Sequence, residues 1–517
     1  MIGMNTVEQW QRYELTLSGP TDGNPFMDVQ LKATFSLNGR QVTIHGFYDG
    51  NGQYKVRYMP SMTGHWQVVT HANVSELDGQ MATFNCVAAT GENHGPVIVA
   101  GKSHFAYADG TAYLPFGTTA YAWTVQSKAV QAQTLATLKD NAFNKIRMTV
   151  FPKSYSYNTT EPAMYPYVGA PKHHSDVFTD DLWRVKPEDI GFDFSRFNPE
   201  YFQSLEDNIE KLDQLGIQAD LILFHPYDCW GFARMGKRFN HLYLRYLIAR
   251  LASYKNIWWS LANEYDLMAS TGQIQLDEWD DLGQFVHMED PSQHLESIHN
   301  FYDPPVHKAT TANWYDYSKP WITHLSIQSD NVFFTAQWLQ EYQKPVVFDE
   351  CRYEGNIEFG FGDNTAHGML DSFWRIMLRG GYATHGETYI DKPNTKRPIW
   401  WAHGGQLYGD SPKRIAFLRK LLADNHFDYI KPQGLRAPSW ELAAGSNAEE
   451  TKFLIYIGDN QPEFEILNFL PTAADFDMTV IDTWNMTTTV YPKVINAQTC
   501  FQLERKPYQA LLLTKKM

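Results

Sequence analysis

Asn256-Ile-Trp-Trp-Ser-Leu-Ala-Asn263-Glu264 is an apolar run that ends on an amide and a carboxylate. Two further runs end alike: Pro345-Val-Val-Phe-Asp349-Glu350, and Ala383-Thr-His385-Gly-Glu387. Apolar strands of this length, alternating with helical stretches, are the signature of parallel βαβ units. Working outward, strands are expected at Tyr113–Thr118, Lys145–Val150, Gln218–Phe224, Ile257–Ala262, Leu295–His299, Thr323–Gln328, Val346–Asp349 and Tyr382–Gly386. Between them lie helical patterns such as Ser127–Asn141, Pro199–Leu215, Leu242–Tyr254 and Leu370–Arg379. Eight β/α repeats over roughly 330 residues match a TIM barrel with enlarged loops. No glycine-rich dinucleotide fingerprint or P-loop favours an open sheet.

The rhythm differs on either side. Residues 1–94 carry short alternating runs, Tyr54–Tyr58 and Trp66–Thr70, punctuated by Asp49-Gly50, Asn51-Gly52 and Asp78-Gly79 turns. They read as an immunoglobulin-like β-sandwich. Residues 429–517 return to short strands, with Lys452–Ile457 and Ala510–Leu513, and read as a second sandwich. The expected fold is thus α/β: a (β/α)8 barrel over residues 95–428, flanked by an N-terminal and a C-terminal β-sandwich domain. A long insert, Phe151–Asn198, with Tyr155, Tyr157, Tyr165, Tyr167 and Trp183, is expected to arch over one mouth of the barrel.

Composition narrows the chemistry. Among 517 residues, 43 Lys+Arg stand against 58 Asp+Glu, a net charge of -15 that repels phosphate backbones and anionic membranes. Neither nucleic acid nor membrane is expected as a partner. With no basic n-region or apolar leader at its start, the chain is expected to be cytoplasmic. Four scattered cysteines, Cys86, Cys229, Cys351 and Cys500, suit neither a disulfide framework nor a thiolate zinc site. Aromatic residues are 15% of the chain, more than cores alone require, and some are expected to line a binding surface.

A TIM barrel carries its reactive groups at the C-terminal ends of its strands. Burying a carboxylate at the end of an apolar strand is costly unless the charge is paired or used. Two such carboxylates, one protonated and one ionised, are what glycoside hydrolysis requires, and sugar C–H faces pack on aromatic rings. Glu264, Glu350 and Glu387 are the strand-end carboxylates from which such a pair could be drawn. His225, His299, Gln328, His385 and Glu387 fall near strand ends as candidate hydroxyl ligands, and Trp400 and Trp401 follow the last strand as candidate sugar platforms. No metal ligand set and no cofactor is expected, because the His-x-His and His-Glu-x-x-His patterns are absent.

Asn263-Glu264 after the fourth strand and Glu350 at the end of the seventh resemble the signature of glycoside hydrolase clan A. The whole chain resembles the apiosidase-like glycoside hydrolases. Gly46-Phe-Tyr-Asp-Gly50, Tyr58-Met-Pro, Tyr113-Leu-Pro-Phe-Gly117 and Trp259-Ser-Leu-Ala-Asn-Glu264 carry the likeness. The resemblance implies Glu264 as acid/base and Glu350 as nucleophile in a retaining mechanism. It implies that Asn263 holds a sugar hydroxyl and that Arg147 pairs with the nucleophile. Clan A commonly has Tyr or His after strand six, where this chain has Gln328. The expectation is a retaining, exo-acting enzyme for plant- or microbe-derived oligosaccharides, with the sandwiches offering surfaces for a homo-oligomer. Two alternatives make different predictions. A non-catalytic carbohydrate-binding barrel would bind sugar without turnover, and a metal-dependent hydrolase using His225, His299, His324 and His385 would purify with metal.

Overall fold

The computed structural model describes residues 5–175, 185–301, 314–391, 399–433 and 441–516. Trp183 lies outside them. The barrel strands are Phe116–Thr119 (β1), Lys145–Thr149 (β2), Gln218–Phe224 (β3), Ile257–Ala262 (β4), Glu296–Ser297 (β5), Leu325–Gln328 (β6), Val346–Glu350 (β7) and Tyr382–His385 (β8). They form one parallel sheet in the order β5-β4-β3-β2-β1-β8-β7-β6. All residues of β2, β3, β4 and β7 are buried. Helices cover their outer face and side chains fill the barrel, so these strands are buried on both faces instead of alternating between core and solvent.

The ring closes differently from the rest. β5 is two residues long, and a single parallel bridge, His299 with Ser326, joins its strand line to β6. Side chains supply what the ladder lacks. Asn300 Nδ2 donates to the Gln328 carbonyl (3.0 Å), and Asn300 Oδ1 accepts from the Gln328 N–H (3.1 Å). The Ser297 hydroxyl donates to the His324 carbonyl (2.5 Å), and Thr323 Oγ1 accepts from the Glu296 N–H (2.8 Å).

The outer helices follow their apolar spacing. In Pro199–Gln214, the Asn198 side chain caps the first turn, proline takes the first helical position, and Tyr201, Phe202, Leu205, Ile209 and Leu212 turn inward. Two helices begin earlier than their apolar runs suggest. Lys237–Leu251 starts behind Gly236 with a polar first turn, and Ala366–Leu378 starts at Thr365, whose hydroxyl accepts from the Gly368 N–H (3.0 Å).

Before the barrel, a five-stranded and a three-stranded sheet enclose Phe35, Val56, Val68 and Phe84. A short antiparallel sheet, Val97–Ala100, His104–Tyr107 and Ala112–Tyr113, then covers the barrel's N-terminal end. Its Phe105 ring packs on Trp258 at 5.0 Å, Tyr382 at 5.2 Å and His324 at 5.7 Å. His324 therefore belongs to the floor, opposite the end where a mouth site would need it. Behind the barrel, a six-stranded sheet packs onto the Ala366–Leu378 helix, where Tyr456 stacks on Trp374 at 5.2 Å.

The N-terminal unit is joined to the barrel by buried charge. Glu206 receives Arg57 at 2.9 Å and Arg250 at 2.6 Å, and Arg250 reaches Asp49 at 2.7 Å. Cys86, Cys229 and Cys351 are buried free thiols, and Cys500 is an exposed one. Among the described residues no helix is long and apolar enough to cross a membrane.

Candidate active site

The barrel interior stacks charge upon charge toward its C-terminal end. Lys145 and Arg147 lie two residues apart on β2 and so point to the same side, into the barrel. Lys145 Nζ sits 2.6 Å from both Asp220 on β3 and Asp349 on β7. Asp349 also accepts from Ser326 (2.5 Å) and Thr384 (3.1 Å). Burial would raise its carboxyl, but the Lys145 and Arg147 charges hold it well below the usual carboxylate range. This ladder is fully desolvated, so each charge depends on its partner.

Arg147 carries the ladder up to the next layer. Its Nη1 donates to Asn263 Oδ1 at 2.6 Å and lies 3.3 Å from Glu350 Oε1. Glu350 Oε1 accepts from the Tyr121 hydroxyl and has His299 Nε2 at 3.4 Å, within ion-pair reach but without hydrogen-bond alignment. His299 Nδ1 is 3.1 Å from Ser326 Oγ, which ties it to Asp349. Burial alone would push Glu350 up. The His299 contact, the Arg147 charge and the Tyr121 hydroxyl outweigh it and hold the carboxylate at about 2.

Glu264 has the opposite surroundings. It follows β4 with left-handed backbone (φ 59, ψ 54), where the chain turns into the helix Tyr265–Ser270 and Glu264 accepts the Met268 N–H (3.0 Å). Such a conformation costs a non-glycine residue about 1–3 kcal/mol. Its side chain is buried, and Oε2 has no hydrogen-bond partner among the described residues. Burial first, and the negative charge of Glu350 second, push its carboxyl up to about 8, against the Lys153 ammonium and the Tyr227 hydroxyl. Both glutamates act on Tyr121, Tyr155, Tyr227 and Lys153, so both carboxyls belong to one buried cluster. One buried acid keeps its proton near neutrality while its neighbour stays ionised. That difference suits proton donation by one and nucleophilic attack by the other.

The residues singled out in the sequence separate into two groups. Glu264, Glu350, Asn263, Arg147 and His299 converge. Asn263 Nδ2 is buried without a partner among the described residues, leaving a donor free beside the pair. Gln328 lies beside Glu350 in the sheet register, its Oε1 also buried and unpartnered among the described residues. Trp401 forms the pocket wall, 5.1 Å from Tyr155 and 6.0 Å from Tyr121 in edge-on contacts. His225 stands in the wall with Nε2 3.4 Å from the Phe151 carbonyl, and burial with the Lys153 charge lowers it to about 3.

Three expectations need correction. His385 bonds Thr118 at 3.1 Å and stacks on Phe143 at 5.0 Å, outside the group around the glutamates. Trp400 is packed into the barrel wall, its indole N–H donating to Thr118 at 2.8 Å. Glu387 accepts the backbone N–H groups of Tyr408 (2.6 Å) and Gly409 (2.8 Å), holding the entry to the helix Ser411–Asp424. The same requirement explains Glu354, which accepts from Asp410 and Ser411. Among the described residues no three His, Cys, Asp or Glu side chains are grouped to hold a metal ion.

Sequence reasoning missed Tyr121, Lys153, Tyr227 and Tyr353. Each follows the last residue of a barrel strand by two to four positions: Thr119, Thr149, Phe224 and Glu350. Polar or aromatic residues just past strand ends were the available signal.

Comparison with known proteins adds the lineage. Residues 100–426 match the model of the apiosidase-like catalytic domain. The chain belongs to the apiosidase-like family. Two domains of unknown function flank that match, DUF5060 over residues 6–73 and DUF5605 over residues 440–514. This apiosidase-like chain is 36% identical to a candidate glycoside hydrolase from Bacteroides vulgatus ATCC 8482, with 99% of this chain and 100% of that one covered and a TM-score of 0.87. A structure described as a glycoside hydrolase matches at 15% identity over 82% of this chain and 97% of its own, TM-score 0.60. A family 5 glycoside hydrolase from the same Bacteroides strain matches at 16% identity over 82% and 94%, TM-score 0.58. The last two share its fold. No curated protein matches the chain.

Proposed function

We propose that this glycoside hydrolase cleaves O-glycosidic bonds of oligosaccharides with retention, using Glu264 as acid/base and Glu350 as nucleophile. The observation that carries the reading is the contrast within one pocket. Glu350 is gripped by Tyr121 and Arg147, whereas Glu264 keeps a buried, unpartnered carboxyl oxygen among the described residues. In the first step Glu264 gives its proton to the glycosidic oxygen while a Glu350 oxygen bonds to the anomeric carbon and the leaving alcohol departs. Water then attacks that carbon, gives a proton to Glu264, and restores Glu350. Asn263 Nδ2 is available to a sugar hydroxyl beside the reacting carbon, and Trp401 to an apolar sugar face. The near-complete burial of both carboxyls supports a closed pocket and exo action.

Folded Glu350→Gln and Glu264→Gln variants should each lose about 1000-fold or more in kcat/KM on a substrate with a poor leaving group. The first-formed product should keep the substrate's anomeric configuration by NMR. Full activity in both variants would overturn the assignment, and an inverted product would overturn the retaining mechanism.

A further inference from the structure

The mechanism leaves one buried charge unused. Lys153, four residues past β2, is 2% exposed, and its ammonium nitrogen lies within an aromatic cage. The ring centroids of Tyr121, Tyr227, Tyr155 and Trp401 are 3.3, 4.1, 4.8 and 5.9 Å from Nζ. Among the described residues no carboxylate is within ion-pair distance of Nζ and no group hydrogen-bonds to it. The charged and titratable groups that face it are Glu264 from the end of β4, Glu350 from β7, Arg147 from β2 and His225 beyond β3.

Those neighbours are already committed. Glu350 belongs to Arg147 and Tyr121, Asp349 belongs to Lys145, and Glu264 carries its own proton near neutrality. Burial pushes the Lys153 amine down to about 7, against the pull of Glu264 and Glu350, so near neutrality it holds its proton only in part, has no dedicated counter-ion, and would be fully charged by an incoming anion. Ring faces contribute about 0.5–2 kcal/mol each, well short of the solvation an ammonium loses. A neutral hydroxyl needs no more than the amide that Asn263 already offers. An anion entering the pocket would meet Lys153 at low dielectric, where attraction between unlike charges is strongest.

We propose that Lys153 sets the enzyme's sugar specificity: its ammonium pairs with a negatively charged substituent, a carboxylate or a sulfate ester, on the saccharide held between Glu264 and Glu350. The inference rests on the glycosidase reading of the pocket and deepens it, since it names the class of substrate as acidic glycosides.

Equilibrium binding to the full-length native protein tests it without turnover. The probes are D-galacturonate, D-glucuronate and the 6-sulfates of galactose and glucose, each against its neutral parent sugar. At least one charged sugar should bind about tenfold or more tightly than its parent, and the carboxylate and sulfate arms show which anion is taken. Lys153→Met should abolish that preference while leaving neutral sugars within about twofold, and Lys153→Arg should restore most of it. The proposal is overturned if neutral sugars bind as tightly as their charged counterparts, if no charged sugar binds at tens of millimolar, or if folded Lys153→Met keeps the preference. Should Lys153→Met fail to fold, loss of the preference in folded Lys153→Arg also counts against it. Catalysis is read separately: an active Glu350→Gln sinks the glycosidase reading while the binding preference stands or falls by itself.

Discussion

At the scale of single residues, the two glutamates make opposite demands on pH. Activity needs Glu350 ionised and Glu264 protonated, so kcat/KM should follow a bell with an acid limb near the Glu350 value of about 2 and an alkaline limb near the Glu264 value of about 8. Stability gives a second readout. The folded Glu264 carboxyl is raised from its ordinary 4.5, so the folded state prefers it protonated. Its contribution is fully present below that ordinary value and is lost as pH rises through about 8. Glu264→Gln should therefore raise Tm by a few degrees at mildly alkaline pH and leave it unchanged at pH values below the ordinary carboxyl range. Glu350 works the other way: its ionised form contributes above the ordinary value, and that contribution is lost as pH falls toward about 2. Both glutamates drew attention because carboxylates ending apolar barrel strands are expensive without a use, while Asn263 and Arg147 were reached through the family resemblance. Lys153 was not legible, since its surroundings are built by the segments after β1, β2, β3 and β8, whose convergence no local pattern records.

At the scale of elements, the strands read cleanly and the segments after them did not. The strands were found because burial on both faces leaves mostly apolar runs in β3, β4 and β7, and the β/α rhythm places the others between them. Glu387 was misread because it follows β8 by two residues, just as Glu264 follows β4 by two. What separates them is the distant segment Tyr408–Ser411, whose N–H groups turn back onto Glu387 and Glu354. The consequence is measurable. Glu387→Gln leaves a buried N–H poorly satisfied and should cost about 1–3 kcal/mol in denaturant unfolding. It should change kcat/KM by no more than about threefold, whereas a substrate ligand would lose far more. Helix starts were similarly hidden: Thr365 and Gly236 mark them by backbone and cap chemistry before any apolar spacing begins.

At the scale of the molecule, the three-part organisation was visible in the changing rhythm of the chain, but the contacts between parts were not. Asp49 and Arg57 meet Glu206 and Arg250 across long stretches of sequence, and only folding brings the four together. Glu206→Ala would leave Glu14 as the carboxylate partner of Arg57 and Asp49 as that of Arg250, and should cost about 1–3 kcal/mol. Calorimetry should then show the N-terminal unit melting ahead of the barrel, where the parent protein melts in one transition. The barrel's closure carries a different implication. Where backbone ladders join neighbouring strands, no side-chain change can remove the joint, but between β5 and β6 the backbone supplies the His299–Ser326 bridge and a Thr323 N–H bond to the Glu296 carbonyl (2.8 Å), and Asn300, Ser297 and Thr323 side chains add the other stitches. The strength of the seam at that point therefore depends in part on three codons. Mutation can tune the scaffold there, beside His299, without rewriting either glutamate.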